Sequence, residues 1–147
     1  ALERDKTEQT LIRYCLRKNI PIFGICRGLQ SINKYYNGSL VLDLKTYSKL
    51  DHVASTHTIN ITCSKLSAMS GMNSCNVNSY HDQGISLNNL ADQLIPFAKT
   101  ADQLIEGAYH KEAPIMGIQW HPERVGESIN FDKLLVTRLF SDGTFWK

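Results

Sequence analysis

The segment Gly24-Ile25-Cys26-Arg27-Gly28 is the one in this 147-residue chain best suited to covalent chemistry. It joins an apolar run, Ile20-Pro21-Ile22-Phe23-Gly24-Ile25, to a stretch with helical spacing. A nucleophile on a tight strand-to-helix turn needs small neighbours, because the backbone there is strained and closely packed. Gly24 and Gly28 supply that smallness in the Gly-x-Nuc-x-Gly pattern of nucleophile elbows. The helix beginning at Arg27 offers free backbone N–H groups and the positive end of its dipole. Both favour a thiolate, so the Cys26 pKa is expected to fall, as a cysteine nucleophile requires. The plain alternative is a small buried cysteine in a glycine-flanked turn.

His121-Pro122-Glu123 supplies the natural partner. Cysteine hydrolysis needs a base to take the thiol proton and return it to the leaving group, and a carboxylate to orient that imidazole. His121 follows the apolar run Pro114–Trp120, so it should emerge at the C-terminal edge of a sheet, where ligands collect in open α/β folds. Two residues apart in extended chain, His121 and Glu123 point the same way. A surface histidine beside a solvated glutamate is the competing reading.

The elements that position these groups follow from hydrophobic periodicity. Arg4 to Lys18 reads as an amphipathic helix stopped at Asn19, with Leu11, Ile12, Cys15 and Leu16 on one face. The runs at 20–25 and 114–120 read as strands buried on both faces. A second helix is expected from Arg27 to Tyr36, ending near Asn37-Gly38. Thr58–Thr62 alternates with period two, as a strand with one polar face does. Further strands are expected at Cys75–Asn78, Leu94–Thr100 and Gln103–His110, with a closing helix around Phe131 to Leu139. Trp120 is expected to pack beneath the site and position His121. The class is α/β around a mostly parallel sheet.

Composition narrows the function. Apolar residues make up 42% and charged residues 20%, and 16 Lys and Arg stand against 14 Asp and Glu for a net charge of +2. That charge is too small to argue for nucleic acid or an anionic membrane surface, and no apolar run approaches a membrane span. One domain over residues 1–147 is expected. Such a chain can build a core without staples, so Cys15, Cys26, Cys63 and Cys75 read as reduced thiols of a cytoplasmic protein. No paired Cys/His spacing suggests structural zinc. His52 and His57, five residues apart, fit neither one helix face nor one strand face, so hydrogen bonding is favoured over metal.

Taken together, Gly-Ile-Cys-Arg-Gly-Leu-Gln at 24–30 and Gly-Ile-Gln-Trp-His-Pro-Glu at 117–123 resemble the class I glutamine amidotransferase-like superfamily, with its flavodoxin-like fold. Asn37-Gly38-Ser39-Leu40 resembles the family's Gly-Gly-Thr-Leu, and Asn78-Ser79-Tyr80-His81 its Asn-Ser-x-His-His-Gln. Arg27 after the cysteine, and Glu3-Arg4-Asp5…Glu8, are similar to the γ-glutamyl-γ-aminobutyrate hydrolase (peptidase C26-like) branch; the pattern also resembles the γ-glutamyl-CDP-amidate hydrolase type. The resemblance implies Cys26 as nucleophile, His121 as general base and acid, and Glu123 as its orienting carboxylate. It implies the Arg27 N–H as an oxyanion donor, and Gln30 with Tyr80, His81, Asp82 and Gln83 as the wall around a γ-glutamyl group. The reaction implied is cleavage of a small-molecule γ-glutamyl amide through a thioester, with no metal or organic cofactor.

Two departures from the family pattern stand out. The strands and Gly-Gly loop that precede the first helix in that family have no counterpart here, so an incomplete chain lacking its N-terminal part is expected rather than a minimal enzyme. Losing that loop's oxyanion donor would cost roughly a hundred- to a thousandfold in rate, and a bare sheet edge invites aggregation. Asp82 stands where the branch often has a second histidine, which would favour an amine with donors or positive charge. The competing functions are a glutaminase subunit that supplies ammonia to a synthetase, and a non-catalytic reactive-cysteine protein. A homo-oligomer is compatible with the sequence.

Overall fold

A computed structural model describes residues 2–47 and 55–147; His52 lies outside the described residues. The amphipathic N-terminal stretch forms α1 (Leu2–Lys18). It ends at Asn19, which takes a left-handed conformation (φ 54°) while the Ile20 N–H closes onto the Cys15 carbonyl at 2.9 Å. Asparagine tolerates that conformation better than most residues, which is why it can stop a helix. Strand β1 (Ile22–Ile25) and helix α2 (Arg27–Tyr35) follow, separated only by Cys26. Asn37, where the family motif carries glycine, is again left-handed (φ 69°).

Past the short α3 (Leu44–Tyr47) come β2 (Ser55–Ile61), α4 (Ser64–Ser70), β3 (Ser74–Ser79) and the two-residue β4 (Ile85–Ser86). The chain closes with β5 (Leu94–Lys99), β6 (Leu104–His110), β7 (Ile115–Ile118) and α5 (Ile129–Asp142). The seven strands form one sheet in the order β1-β7-β6-β5-β2-β3, with β4 on β6. The α/β class holds, but the expectation of a mostly parallel sheet does not. Among the described residues only β1 and β7 pair in parallel; the other pairings are antiparallel. Connection length is the reason. Four residues join β5 to β6 and four join β6 to β7, which permits hairpins, whereas a parallel pair needs a long crossover.

Helices cover both faces. Ile12 of α1 and Leu29 and Ile32 of α2 pack with Ile85, Ile105 and Ile115 on one side. Leu66 of α4 and Phe131, Leu135 and Leu139 of α5 pack with Ile59, Phe97, Met116, Ile118 and Trp120 on the other. No helix of the described residues is long and apolar enough to cross a membrane. Trp120 is fully buried, stacked on Phe131 with ring centroids 6.3 Å apart, and its indole N–H donates to Asp132 at 2.8 Å. That anchor fixes the backbone immediately before His121. Trp120→Phe keeps an aromatic ring but deprives the buried Asp132 carboxylate of its donor, so a loss of about 1–3 kcal/mol is expected, read as a lower urea midpoint at unchanged slope.

Candidate active site

In-register pairing of β1 with β7 matches Ile25 to Ile118, so both strands end at the same edge of the sheet. Cys26 leaves β1 one residue later, and its N–H donates to the Ile118 carbonyl at 2.8 Å. Its φ of 54° and ψ of −104° place a non-glycine residue in a sparsely populated region. The turn survives because Gly24 lacks a side chain: a Cβ there would lie 2.7 Å from the Gly28 carbonyl carbon and 2.7 Å from Ile32 Cδ1. Gly28 differs from expectation. A Cβ at Gly28 would meet nothing within 4 Å among the described residues, so the Gly28 backbone is the obstacle that demands glycine at 24 and not a second site of crowding.

Around the Cys26 sulfur stand the Arg27 backbone N–H and the Gln119 amide, whose Nε2 donates to Sγ at 3.4 Å. Contrary to the sequence expectation, the thiol pKa is raised. Burial is the largest cause, and the negative charges of Glu106 and Glu123 add to it, together outweighing the two donors. Cys26 therefore rests as a neutral thiol. The Arg27 side chain turns away from the sulfur and is held by Asp5 and by Glu8 at 3.0 Å, both on α1. Asp5 and Glu8 thereby tie the first helix to the start of α2 beside the elbow. Burial of Glu8 raises its pKa, but hydrogen bonds from Ser31 and Arg27 prevail and leave it lowered.

His121 Nδ1 lies 2.7 Å from Glu123 Oε2. The pair forms across a turn, with the Arg124 N–H donating to the His121 carbonyl at 3.1 Å, and not across extended chain as the spacing suggested. Burial raises the Glu123 pKa, yet the hydrogen bond with His121 wins and holds it lowered. Asn78 clamps the His121 backbone twice: its Oδ1 accepts from the His121 N–H and its Nδ2 donates to the His121 carbonyl, each at 2.9 Å. Tyr80 stands edge-on to the imidazole, centroids 6.0 Å apart, beneath the Arg124 guanidinium at 3.9 Å.

Of the remaining sequence-predicted residues, Gln30, His81 and Gln83 meet behind the sulfur and Asp82 does not. Gln30 Nε2 donates both to the Gln83 carbonyl at 3.1 Å and to Gln119 Oε1 at 3.2 Å. His81 Nδ1 contacts the same Gln83 carbonyl at 2.7 Å. Asp82 is exposed, and its carbonyl accepts from the Leu44 N–H at 3.1 Å. Two residues with no role assigned from the sequence complete the cluster, although Gln119 lies within the 117–123 motif. Gln119 looks in the sequence like part of a buried strand end, and Glu106 is a lone acid inside a strand that is otherwise apolar or small up to Tyr109. Glu106 is fully buried, with His57 Nε2 at 3.4 Å and His81 Nε2 at 3.5 Å from its two oxygens.

His57, His81 and Glu106 are also the group among the described residues whose donor atoms converge for a metal, all within 4.8 Å. Their side chains are at most 7% exposed, so the cluster lies inside the fold. Two cavities flank the cysteine–histidine edge. One of about 270 Å³ is lined by Arg27, Gln30, Lys34 and Gln83. Another of about 280 Å³ is lined by Asn78, Tyr80, Arg124 and Glu127.

A cysteine at a strand–helix elbow beside a histidine–carboxylate pair, on an α/β sheet covered on both faces, defines the class I glutamine amidotransferase fold. Its likeness to a solved structure supports this: a GMP synthase subunit protein of Thermoplasma acidophilum superposes with a TM-score of 0.72 at 24% identity, over 92% of this chain and 63% of that one. The peptidase C26 family model matches residues 1–123, and the chain belongs to that family. It is 33% identical over 138 residues to the γ-glutamyl-γ-aminobutyrate hydrolase of Escherichia coli O157:H7, covering 82% of this chain and 53% of that protein. It is 30% identical over 122 residues to the γ-glutamyl-CDP-amidate hydrolase of Campylobacter jejuni, covering 83% and 52%. The chain thus spans about half the length of these curated relatives.

The two elbow glycines should behave oppositely. Gly24→Ala forces backbone apart and is expected to destabilise by about 1–3 kcal/mol or more, with slower iodoacetamide labelling of Cys26. Gly28→Ala enters open space in a helix and should be neutral or stabilising by up to about 1 kcal/mol. Urea unfolding of both variants reads the difference.

Proposed function

We propose that this chain carries the catalytic groups of a cysteine hydrolase that cleaves γ-glutamyl amides, with Cys26 as nucleophile, His121 as general base and acid, and Glu123 holding the imidazole. The observation that carries the reading is the placement of a strained, donor-lined cysteine and a carboxylate-bound histidine at one sheet edge by a single parallel strand pair. Family membership and the two named hydrolases support it. Their names share a γ-glutamyl amide and differ in the amine.

Because Cys26 rests as a thiol, His121 must take its proton as sulfur attacks the γ-carbonyl carbon. Negative charge then develops on the carbonyl oxygen, and the Arg27 N–H at the helix start is placed to receive it. As the C–N bond breaks, His121 returns the proton to the departing amine, leaving a γ-glutamyl thioester on Cys26. Water, deprotonated by the same histidine, releases glutamate and restores the thiol. The γ-glutamyl group belongs on the Gln30–Gln83 side, since both Gln30 amide hydrogens are already engaged and its Oε1 remains to accept from the substrate's ammonium group. The amine belongs on the His121 side, because a general acid must reach the departing nitrogen. The cavity bordered by Tyr80 and Arg124 adjoins that side, since Tyr80 stands edge-on to the His121 ring.

Glutamate release by the protein in its natural full length is the test, with glutamine, γ-glutamyl-γ-aminobutyrate, a γ-glutamyl dipeptide and a γ-glutamyl nucleotide phosphoramidate as substrates. A γ-linked amine should be turned over, Cys26→Ala should abolish the activity, and His121→Ala should lower it roughly 10²- to 10⁴-fold. Cleavage of glutamine alone would point instead to an ammonia-supplying subunit. Turnover that survives in Cys26→Ala would overturn the reading.

A further inference from the structure

Behind the sulfur runs a continuous chain of polar contacts, and its far end, His81 and Glu106, has no part in the proposed reaction. Gln119 donates to Cys26 Sγ, Gln30 donates to Gln119 and to the Gln83 carbonyl, and that carbonyl also meets His81 Nδ1. His81 Nε2 in turn faces Glu106. A carbonyl oxygen only accepts, so His81 Nδ1 carries a hydrogen, and Nε2 is left to face Glu106 Oε2 at 3.5 Å. The buried Glu106 carboxyl group thus lies where it favours a second proton on the ring. Glu106 also grips the other end, because its backbone carbonyl accepts from the Gln119 N–H at 2.7 Å.

We propose that Glu106 is a positioning residue: its carboxylate keeps His81 doubly protonated, the ring clamps the Gln83 carbonyl, and the clamp fixes the Gln30 and Gln119 amides behind the Cys26 sulfur. The inference deepens the γ-glutamyl hydrolase reading and rests on it for its kinetic consequence, since Gln30 and Gln83 form the wall assigned to the γ-glutamyl group.

The charges around the cluster fix the expected signs. Cys26 is faced by Glu106 from β6 and by Glu123 from the turn after β7, and both oppose its ionisation. His81 is faced by Glu106 and by its neighbour Asp82; burial opposes its charging, but Glu106 and the Gln83 carbonyl prevail and raise its pKa. His57 faces Glu106 from β2. Glu106→Gln removes an anion near the sulfur and loosens the clamp. His81→Asn removes the compensating cation and leaves the anion in place.

The experiment measures iodoacetamide labelling of the Cys26 peptide by mass spectrometry against pH, in wild type and both variants, together with KM for a γ-glutamyl amide. Glu106→Gln should label several-fold faster near pH 7, and His81→Asn several-fold slower, while KM rises about tenfold in Glu106→Gln. In wild type, KM should rise as pH passes through the raised His81 pKa, and this rise should vanish in Glu106→Gln. A purely structural role would shift both labelling curves in the same direction, and that outcome overturns the proposal, as does a folded Glu106→Gln with unchanged labelling. If Glu106→Gln does not fold, the His81→Asn curve and the wild-type KM profile decide, and a faster-labelling His81→Asn or a flat profile overturns it. Labelling requires no substrate, so absent turnover in wild type would defeat the hydrolase reading, while the labelling curves would still decide the positioning claim.

Discussion

Everything at the candidate site depends on one parallel strand pair. Residues 22–25 and 115–118 lie ninety-odd positions apart in the chain, yet their in-register pairing brings the cysteine turn and the histidine turn to the same sheet edge. An antiparallel pairing would send the two turns to opposite ends. The Cys26 N–H bond to the Ile118 carbonyl extends this pair by one step into the elbow, so the strained residue is anchored by the strand that presents the histidine. Alternation along the same strand end then divides the labour. Gln119 turns to the α2 side, where it meets Gln30 and the sulfur, and Trp120 turns to the α5 side, where it is locked by Phe131 and Asp132.

Electrostatics adds a second constraint. A helix N-terminus alone does not make Cys26 acidic, because burial and two nearby carboxylates raise its pKa. In the proposed reaction such a thiol stays protected until a base takes its proton, which would give the histidine–carboxylate pair a task beyond leaving-group protonation. Glu106 is buried behind the site, with an imidazole nitrogen of His57 and one of His81 within 3.5 Å of its oxygens. Site and core are therefore joined by ionisable groups, whereas the faces around them are joined by packing.

Local patterns in the sequence carry much of this architecture. Two apolar runs without alternation, one amphipathic helix on each side of the chain and a cysteine between glycines suffice for α1, β1, α2, β7 and α5. Three features were not legible, each for a physical reason. The antiparallel majority of the sheet follows from hairpin lengths whose partners periodicity cannot identify. The short α3, α4 and β4 hold too few residues to show a period. Glu106 and Gln119 act through side-chain contacts across β6, β7 and the 80–83 loop; nothing around Glu106 marks it, and the motif that holds Gln119 does not show which way its amide points. The open space at Gly28 shows the limit of motif reading from the other side: a glycine in a familiar pattern need not be one that crowding requires.

The central claim is that Cys26 becomes covalently attached to the γ-glutamyl group during turnover. Rapid acid quenching of the full-length protein with a turned-over γ-glutamyl amide, followed by proteolysis and mass spectrometry, tests it directly. The account predicts a γ-glutamyl adduct on the peptide carrying Cys26, formed within one turnover and decaying as glutamate appears. An adduct on Cys15, Cys63 or Cys75, or steady turnover by a Cys26→Ala protein that carries no adduct, would contradict it.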